Sequence, residues 1–184
     1  MSPLTQVAGP LVEALRYTGH DTNIRELFAN LLATAMDKET MHKAHPGYVE
    51  IIRNLCSDEA LLLKAFISTP LYPFIDIQST AENILGFRRE LSNYSHLHKE
   101  YKVNRADLVP SYLDNLRRLG ILEISLGIAI TADNTFEPLE NDNELQVIKE
   151  LIKSQDREVS FGRGIVRLTS FGAQFIENVV DEKS

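Results

Sequence analysis

The 184-residue chain contains a single cysteine, Cys56, so no disulfide can form within it. A lone thiol suits a reducing compartment. No apolar run approaches the roughly 20 residues that cross a bilayer as a helix, and the first residues lack the layout of a secretory signal. The expected location is the cytoplasm. No Gly-x-Ser-x-Gly elbow, phosphate-binding loop or kinase signature occurs, which leaves nucleophilic and phosphoryl-transfer chemistry without its usual framework. Basic residues are also short. Nineteen Lys and Arg stand against 26 Asp and Glu, a net charge of −7, with about −2 before Arg105 and −5 from Arg105 onward. Nucleic-acid binders draw much of their affinity from a basic footprint, so this balance disfavours DNA as a partner.

What remains is enough apolar material for a core, 43% hydrophobic against 24% charged residues, in a length that suits one domain of ordinary size or a small domain with an appendage. Gly9-Pro10 reads as the opening of a first helix, with Leu11, Val12, Ala14 and Leu15 on its apolar side and Thr18-Gly19 as its stop. Asp21, Thr22 or Asn23 caps a stronger one. Its apolar residues Ile24, Leu27, Phe28, Leu31, Leu32 and Ala35 recur at helical spacing and mark one buried face. Pro46 begins a third helix with Tyr48, Val49, Ile52, Leu55 and Cys56 as its stripe, and His45 before it is placed to cap the turn. Ser57-Asp58-Glu59 is a capping hydroxyl followed by acids at the positive end of the helix dipole. The apolar run behind it predicts a central helix.

Pro70 and Pro73 exclude a long helix over the next stretch, which predicts extended chain with a short strand at Phe74 to Ile77. Thr80 to Lys102 reads as helix, with Arg88 and Arg89 balanced by Glu90 on its solvated face. In the helix that carries "SYLDNLRRLGILEI", Ser111 to Ile124, residues Leu108, Tyr112, Leu113, Leu116 and Leu119 face inward, Gly120 ends the helix, and a strand follows. Glu158 to Phe161 and Ile165 to Leu168 flank Gly162-Arg163-Gly164, which reads as a hairpin turn. Thr169 or Ser170 caps a last helix, and Asp181 to Ser184 is a tail. The expected fold is mainly α with a small β-hairpin: a helical N-terminal half plus a winged-helix-like C-terminal part. The expected division is a helical subdomain over 1–56 and a winged-helix-like subdomain over 57–184, with an acidic helical insertion at about 131–155, or one continuous domain.

Three separated motifs occur in order: "FANLLATAMDKETMHKAHPGYVEIIRNLCSDEALLLKAF", "VPSYLDNLRRLGILEI" and "RLTSFGAQFIENVV". Together they resemble the abortive-infection alpha family (Abi-alpha), a bacterial domain of unknown function, over nearly the whole chain. The resemblance implies a part in anti-phage defence, in which an infected cell stops growing or dies before phage are released. It supplies no catalytic residues. Members of the family often carry a glycine-rich segment upstream of this region, and since the chain starts almost at the shared domain, the resemblance leaves open a targeting or partner-binding part ahead of it.

The candidate surface contacts are Ser111, Asn115, Arg117 and Arg118 on the predicted recognition helix, and Arg163 and Arg167 on the predicted wing. Asn and Arg suit adenine and guanine edges, and wing arginines suit phosphates. Asp114 on the same helix would repel phosphate. His42-x-x-His45 and His96-x-His98 offer imidazoles, but metal chemistry needs three or four converging ligands, so no metal and no cofactor is expected. Cys56, at the end of an apolar stripe, reads as a buried thiol. Glu82, Glu90 and the other carboxylates show no paired acid–base spacing. The expectation is a non-enzymatic defence component acting through contacts with a protein partner or a second copy. A winged-helix DNA-binding regulator is the alternative.

Overall fold

The computed structural model describes residues 5–17, 20–82, 85–127 and 134–181. The predicted stop at Thr18-Gly19, the first residues of the predicted insertion and the last three of the predicted tail lie outside them. Four helices come first: α1 (Thr5–Tyr17), α2 (Thr22–Met36), α3 (Gly47–Arg53) and α4 (Ser57–Ser68). α1 starts ahead of Gly9-Pro10 and carries Pro10 within it. The Asp21 carboxylate accepts from the Ile24 N–H at 3.1 Å, and the predicted stripe of α2 is buried at Ile24, Leu27, Phe28, Leu31 and Ala35, with Leu32 partly buried beside it. His45 Nδ1 accepts from the Gly47 N–H at 3.0 Å, the cap its position before Pro46 implies. At α4 the capping residue is Cys56 instead of Ser57, and the Cys56 N–H donates to Glu59 Oε2 at 2.8 Å.

The second half departs from the expected fold. Strands β1 (Leu71–Thr80), β2 (Arg88–Tyr94), β3 (Leu122–Leu126) and β4 (Glu158–Leu168) form a four-stranded antiparallel sheet in the order β2-β1-β4-β3. The protein is therefore a mixed α/β fold, not a mainly α one with a small hairpin, and the winged-helix reading does not hold. Two causes are visible. β1 runs ten residues despite Pro73, because the pairing with β2 begins only at Ile75 and Pro73 faces β4 alone. The predicted hairpin at Gly162-Arg163-Gly164 is the middle of one continuous strand, paired with β1 on one side and β3 on the other.

Those glycines serve close approach and not a turn. Neither has a positive φ. A Cβ on Gly164 would stand 2.5 Å from Phe74 Cζ and 2.6 Å from the Ser125 carbonyl oxygen. The predicted helix over 80–102 is instead the β1–β2 connection, β2 and a short helix α5 (Leu97–Tyr101). β2 is an edge strand whose alternation is masked by Arg88, Arg89 and Glu90, as edge strands often are.

The other helices are α6 (Val109–Arg118), α7 (Glu137–Glu140), α8 (Gln146–Lys153) and α9 (Ser170–Phe175), the last continued by a wider turn to Val180. Thr169 Oγ1 caps α9 by accepting from the Gly172 N–H at 2.8 Å. The two faces of the sheet bury different cores. Phe74, Leu122 and Val166 point into the main core with Leu11, Phe28, Leu63, Leu116 and Phe175, which joins α1, α2, α4, α6 and α9. Ile75 and Ile77 point the other way and are covered by Phe136, Leu139, Leu145 and Ile152 of the α7–α8 segment. The amphipathic stripe of that segment thus closes the protein's own second core. No helix among the described residues is long and apolar enough to cross a membrane.

Candidate functional site

The face of α6 expected to read DNA is mostly engaged within the fold. Tyr112 donates its hydroxyl to Asp58 Oδ2 at 3.2 Å. Asn115 Nδ2 donates to Glu59 Oε1 at 2.8 Å and to the Asn54 carbonyl at 3.1 Å. Arg118 holds Asn115 Oδ1 through two nitrogens, at 2.7 and 3.0 Å. Asp114 accepts from Asn93 Nδ2 at 3.1 Å. Ser111 and Arg117 are exposed. The two strand arginines are each clamped on an acid: Arg163 on Glu140 at 2.6 and 3.0 Å, over the Phe136 ring, and Arg167 on Glu123 at 3.0 and 3.2 Å. Since α6 packs on the first face of the sheet while Arg163 reaches Glu140 at the second, the six candidates do not form one surface. Cys56 is exposed, unlike the buried thiol expected. Burial of part of it, together with Glu59 beside it, still raises its pKa above the ordinary value.

A different group stands out where the end of β2 and α5 meet the α7–α8 segment. Tyr94, His96, His98 and Lys99 converge on Asp142 and Glu144. Tyr94 donates to Glu144 Oε2 at 3.1 Å, His96 Nε2 lies 2.5 Å from Asp142 Oδ2, and Lys99 donates to the same oxygen. His98 contacts the Ser95 carbonyl through Nδ1 at 3.0 Å and Glu144 Oε2 through Nε2 at 3.1 Å. Both are hydrogen bonds at once only when the ring carries two protons. Burial pushes the Asp142 carboxyl up, but hydrogen bonds from Lys99, the Glu144 N–H, Tyr94 and His96 outweigh it and hold it well below the usual carboxylate range. Burial likewise opposes, and the Tyr94 hydrogen bond and the charges of His98 and Lys99 override, giving a lowered Glu144. The Tyr94 phenol is driven far up by burial and by the two carboxylates beside it.

This polar clasp pins the α7–α8 segment to β2 and α5. Among the described residues no three or more His, Cys, Asp or Glu side chains stand where they could hold a metal ion. The sequence shows His96-x-His98 but gives no local sign that acids nearly 50 residues away complete the group.

Next to the clasp lies a cleft of about 510 Å³, open to solvent between β2, the start of α6 and α8. Val109, Pro110, Leu145 and Ile148 give it apolar walls on the α6 and α8 sides, and Asn93, Ser95, His98 and Glu144 are among its polar lining residues. At its lip Val147 and Leu151, one turn apart on α8, are 77% and 57% exposed. A third feature is the β1–β2 connection, where Leu85 is fully exposed and Phe87 is 55% exposed. Arg88 and Arg89 beside them contact Glu90 at 3.4 Å and the buried Asp76 at 2.9 Å.

The described residues thus form a mixed α/β fold with a solvent-open cleft beside the polar clasp and an exposed apolar hairpin end. The family model for abortive infection alpha matches residues 1–179, and the chain belongs to that family. No curated protein sequence matches it. Among solved structures, one of an uncharacterized protein from the hydrocarbon-degrading marine bacterium Alcanivorax borkumensis SK2 is similar at 19% identity with a TM-score of 0.49, covering 73% of this chain and 93% of that one.

Proposed function

We propose that this chain is a non-enzymatic component of bacterial abortive-infection defence that acts by contacting another protein chain, a second copy included. Family membership supports the defence role. The observation that carries the mode of action is the exposed pair Leu85 and Phe87 at the end of the β1–β2 hairpin. Exposed leucine and phenylalanine side chains gain free energy when a partner covers them, and aromatic residues are enriched at the centres of protein interfaces. The neighbouring Arg88 and Arg89 are engaged by carboxylates, so the hairpin end offers an apolar contact more than a phosphate-binding one.

Deletion of the gene tests the defence role: plating efficiency across a broad phage panel rises for at least some phages, whereas identical plating with and without the gene overturns it. A duplex-DNA anisotropy titration at low salt tests the mode. No binding is expected at tens of micromolar protein, where non-specific DNA binders with dissociation constants of roughly 10⁻⁴ to 10⁻⁶ M already register. Saturable binding there would favour a nucleic-acid role.

A further inference from the structure

Ser95 lies in the wall of the cleft, and its hydroxyl is buried with no hydrogen-bond partner. Asn178 Oδ1 is the other such side-chain atom among the described residues, and it belongs to no described cleft. Buried hydroxyls in folded proteins are nearly always satisfied, and one left open calls for an explanation. Both carboxylates in the wall have a cationic partner: Asp107 pairs with Arg105 at 2.7 Å, and Glu144 with Lys99 at 3.4 Å. A charged ligand would therefore enter without compensation, and its desolvation would count against binding. The volume, about 510 Å³, falls within the range of small-molecule sites, and apolar walls with few convergent polar groups are their usual lining.

We propose that this cleft binds a small uncharged molecule, mostly hydrocarbon, and that rotation of the Ser95 side chain about χ1 brings its Oγ, buried in the free protein, to one hydroxyl, carbonyl or amide group of that molecule. The apolar body would lie along Val109, Pro110, Leu145 and Ile148 and be covered at the lip by Val147 and Leu151. Those contacts join the β2–α5–α6 side to α8, so occupancy reinforces the attachment that the polar clasp makes beside it. The site is separate from the hairpin end at Leu85 and Phe87.

The full chain titrated with the neutral fluorescent probe N-phenyl-1-naphthylamine shows saturable binding, displaced by 1-decanol at concentrations at least tenfold below those of decanoate at pH 8. Ser95→Ala raises the decanol concentration for half-displacement roughly three- to tenfold, the worth of one hydrogen bond, and leaves the thermal midpoint of the free protein unchanged or higher. Leu151→Glu, at the exposed lip, weakens the probe without altering the fold. Leu85→Asp with Phe87→Asp leaves probe binding intact. The proposal is overturned by the absence of saturable probe binding, by decanoate competing as well as decanol, or by probe binding that is lost in the hairpin variant. A lowered midpoint with unchanged decanol displacement in Ser95→Ala also overturns it, because it assigns the hydroxyl a structural role.

Discussion

Tyr94 donates its phenolic hydrogen to Glu144 across 50 residues of sequence, at 3.1 Å, and the same ring packs beside His96 and His98. Together with Lys99 on Asp142, this contact closes the α7–α8 segment over the second face of the sheet. Beyond the clasp, the segment is held by the Arg163–Glu140 pair and by the burial of Phe136, Leu139, Leu145 and Ile152.

The clasp makes stability depend on acid. Asp142 and Glu144 have folded-state pKa values below their ordinary ones, and so does Asp58, where burial is outweighed by the N–H groups of Asn104 and Arg105. Groups shifted in that direction contribute stability that is complete above the unfolded pKa and is lost as pH falls toward the folded one. Urea unfolding midpoints are expected to fall steeply from about pH 5 downward. Asp142→Asn should flatten that slope and cost roughly 1.5–3 kcal/mol at pH 7. An unchanged acid slope in that variant contradicts the assignment.

The close approach at Gly164 predicts a cost that Gly162 does not share. A methyl group at Gly164 meets the buried Phe74 ring and the Ser125 backbone, neither of which can move freely. Gly164→Ala should destabilise by about 1–3 kcal/mol through overpacking. At Gly162 the nearest atom, 2.7 Å away, is the end of the Gln78 side chain, which can swing aside. Gly162→Ala should cost less in the same denaturation series, and the reverse order would show that the strand sits differently.

Asp58 predicts a third result. It accepts from the Asn104 N–H and Nδ2, the Arg105 N–H and the Tyr112 hydroxyl, at 2.8–3.2 Å, tying the start of α4 to the loop before α6. Asp58→Ala should cost roughly 2–4 kcal/mol by leaving those donors unmet. Arg117→Ala, on the exposed side of α6, should stay within about 0.5 kcal/mol of the parent. Comparable losses at both positions would count against the division of α6 into an engaged and a free side.

The legible parts of the fold were those governed by local rules. Asp21, His45, Thr169 and the stripe of α2 could be read because a cap or a helical period involves residues three or four apart. The α6–Gly120–β3 order was legible for the same reason, with Gly120 at φ 76°. What stayed hidden depended on partners far along the chain. Gly162 and Gly164 resemble turn residues until Phe74, Gln78 and Ser125 are placed opposite them. Pro73 argues against a strand until β2 is seen to stop short of it. The site was hidden more deeply still. His96-x-His98 drew notice as imidazoles, but Asp142 and Glu144 are ordinary acids in an acidic stretch, and only the sheet brings them within hydrogen-bond reach.

The most direct measurement is phage protection by a hairpin-end variant. A strain lacking the gene is complemented with the parent chain or with Leu85→Asp and Phe87→Asp together, both at positions exposed enough to leave stability within about 0.5 kcal/mol. With equal protein levels and matching thermal midpoints, the account predicts that the parent restores protection and the variant does not. Full protection by the folded variant would contradict the claim that this chain acts through that contact.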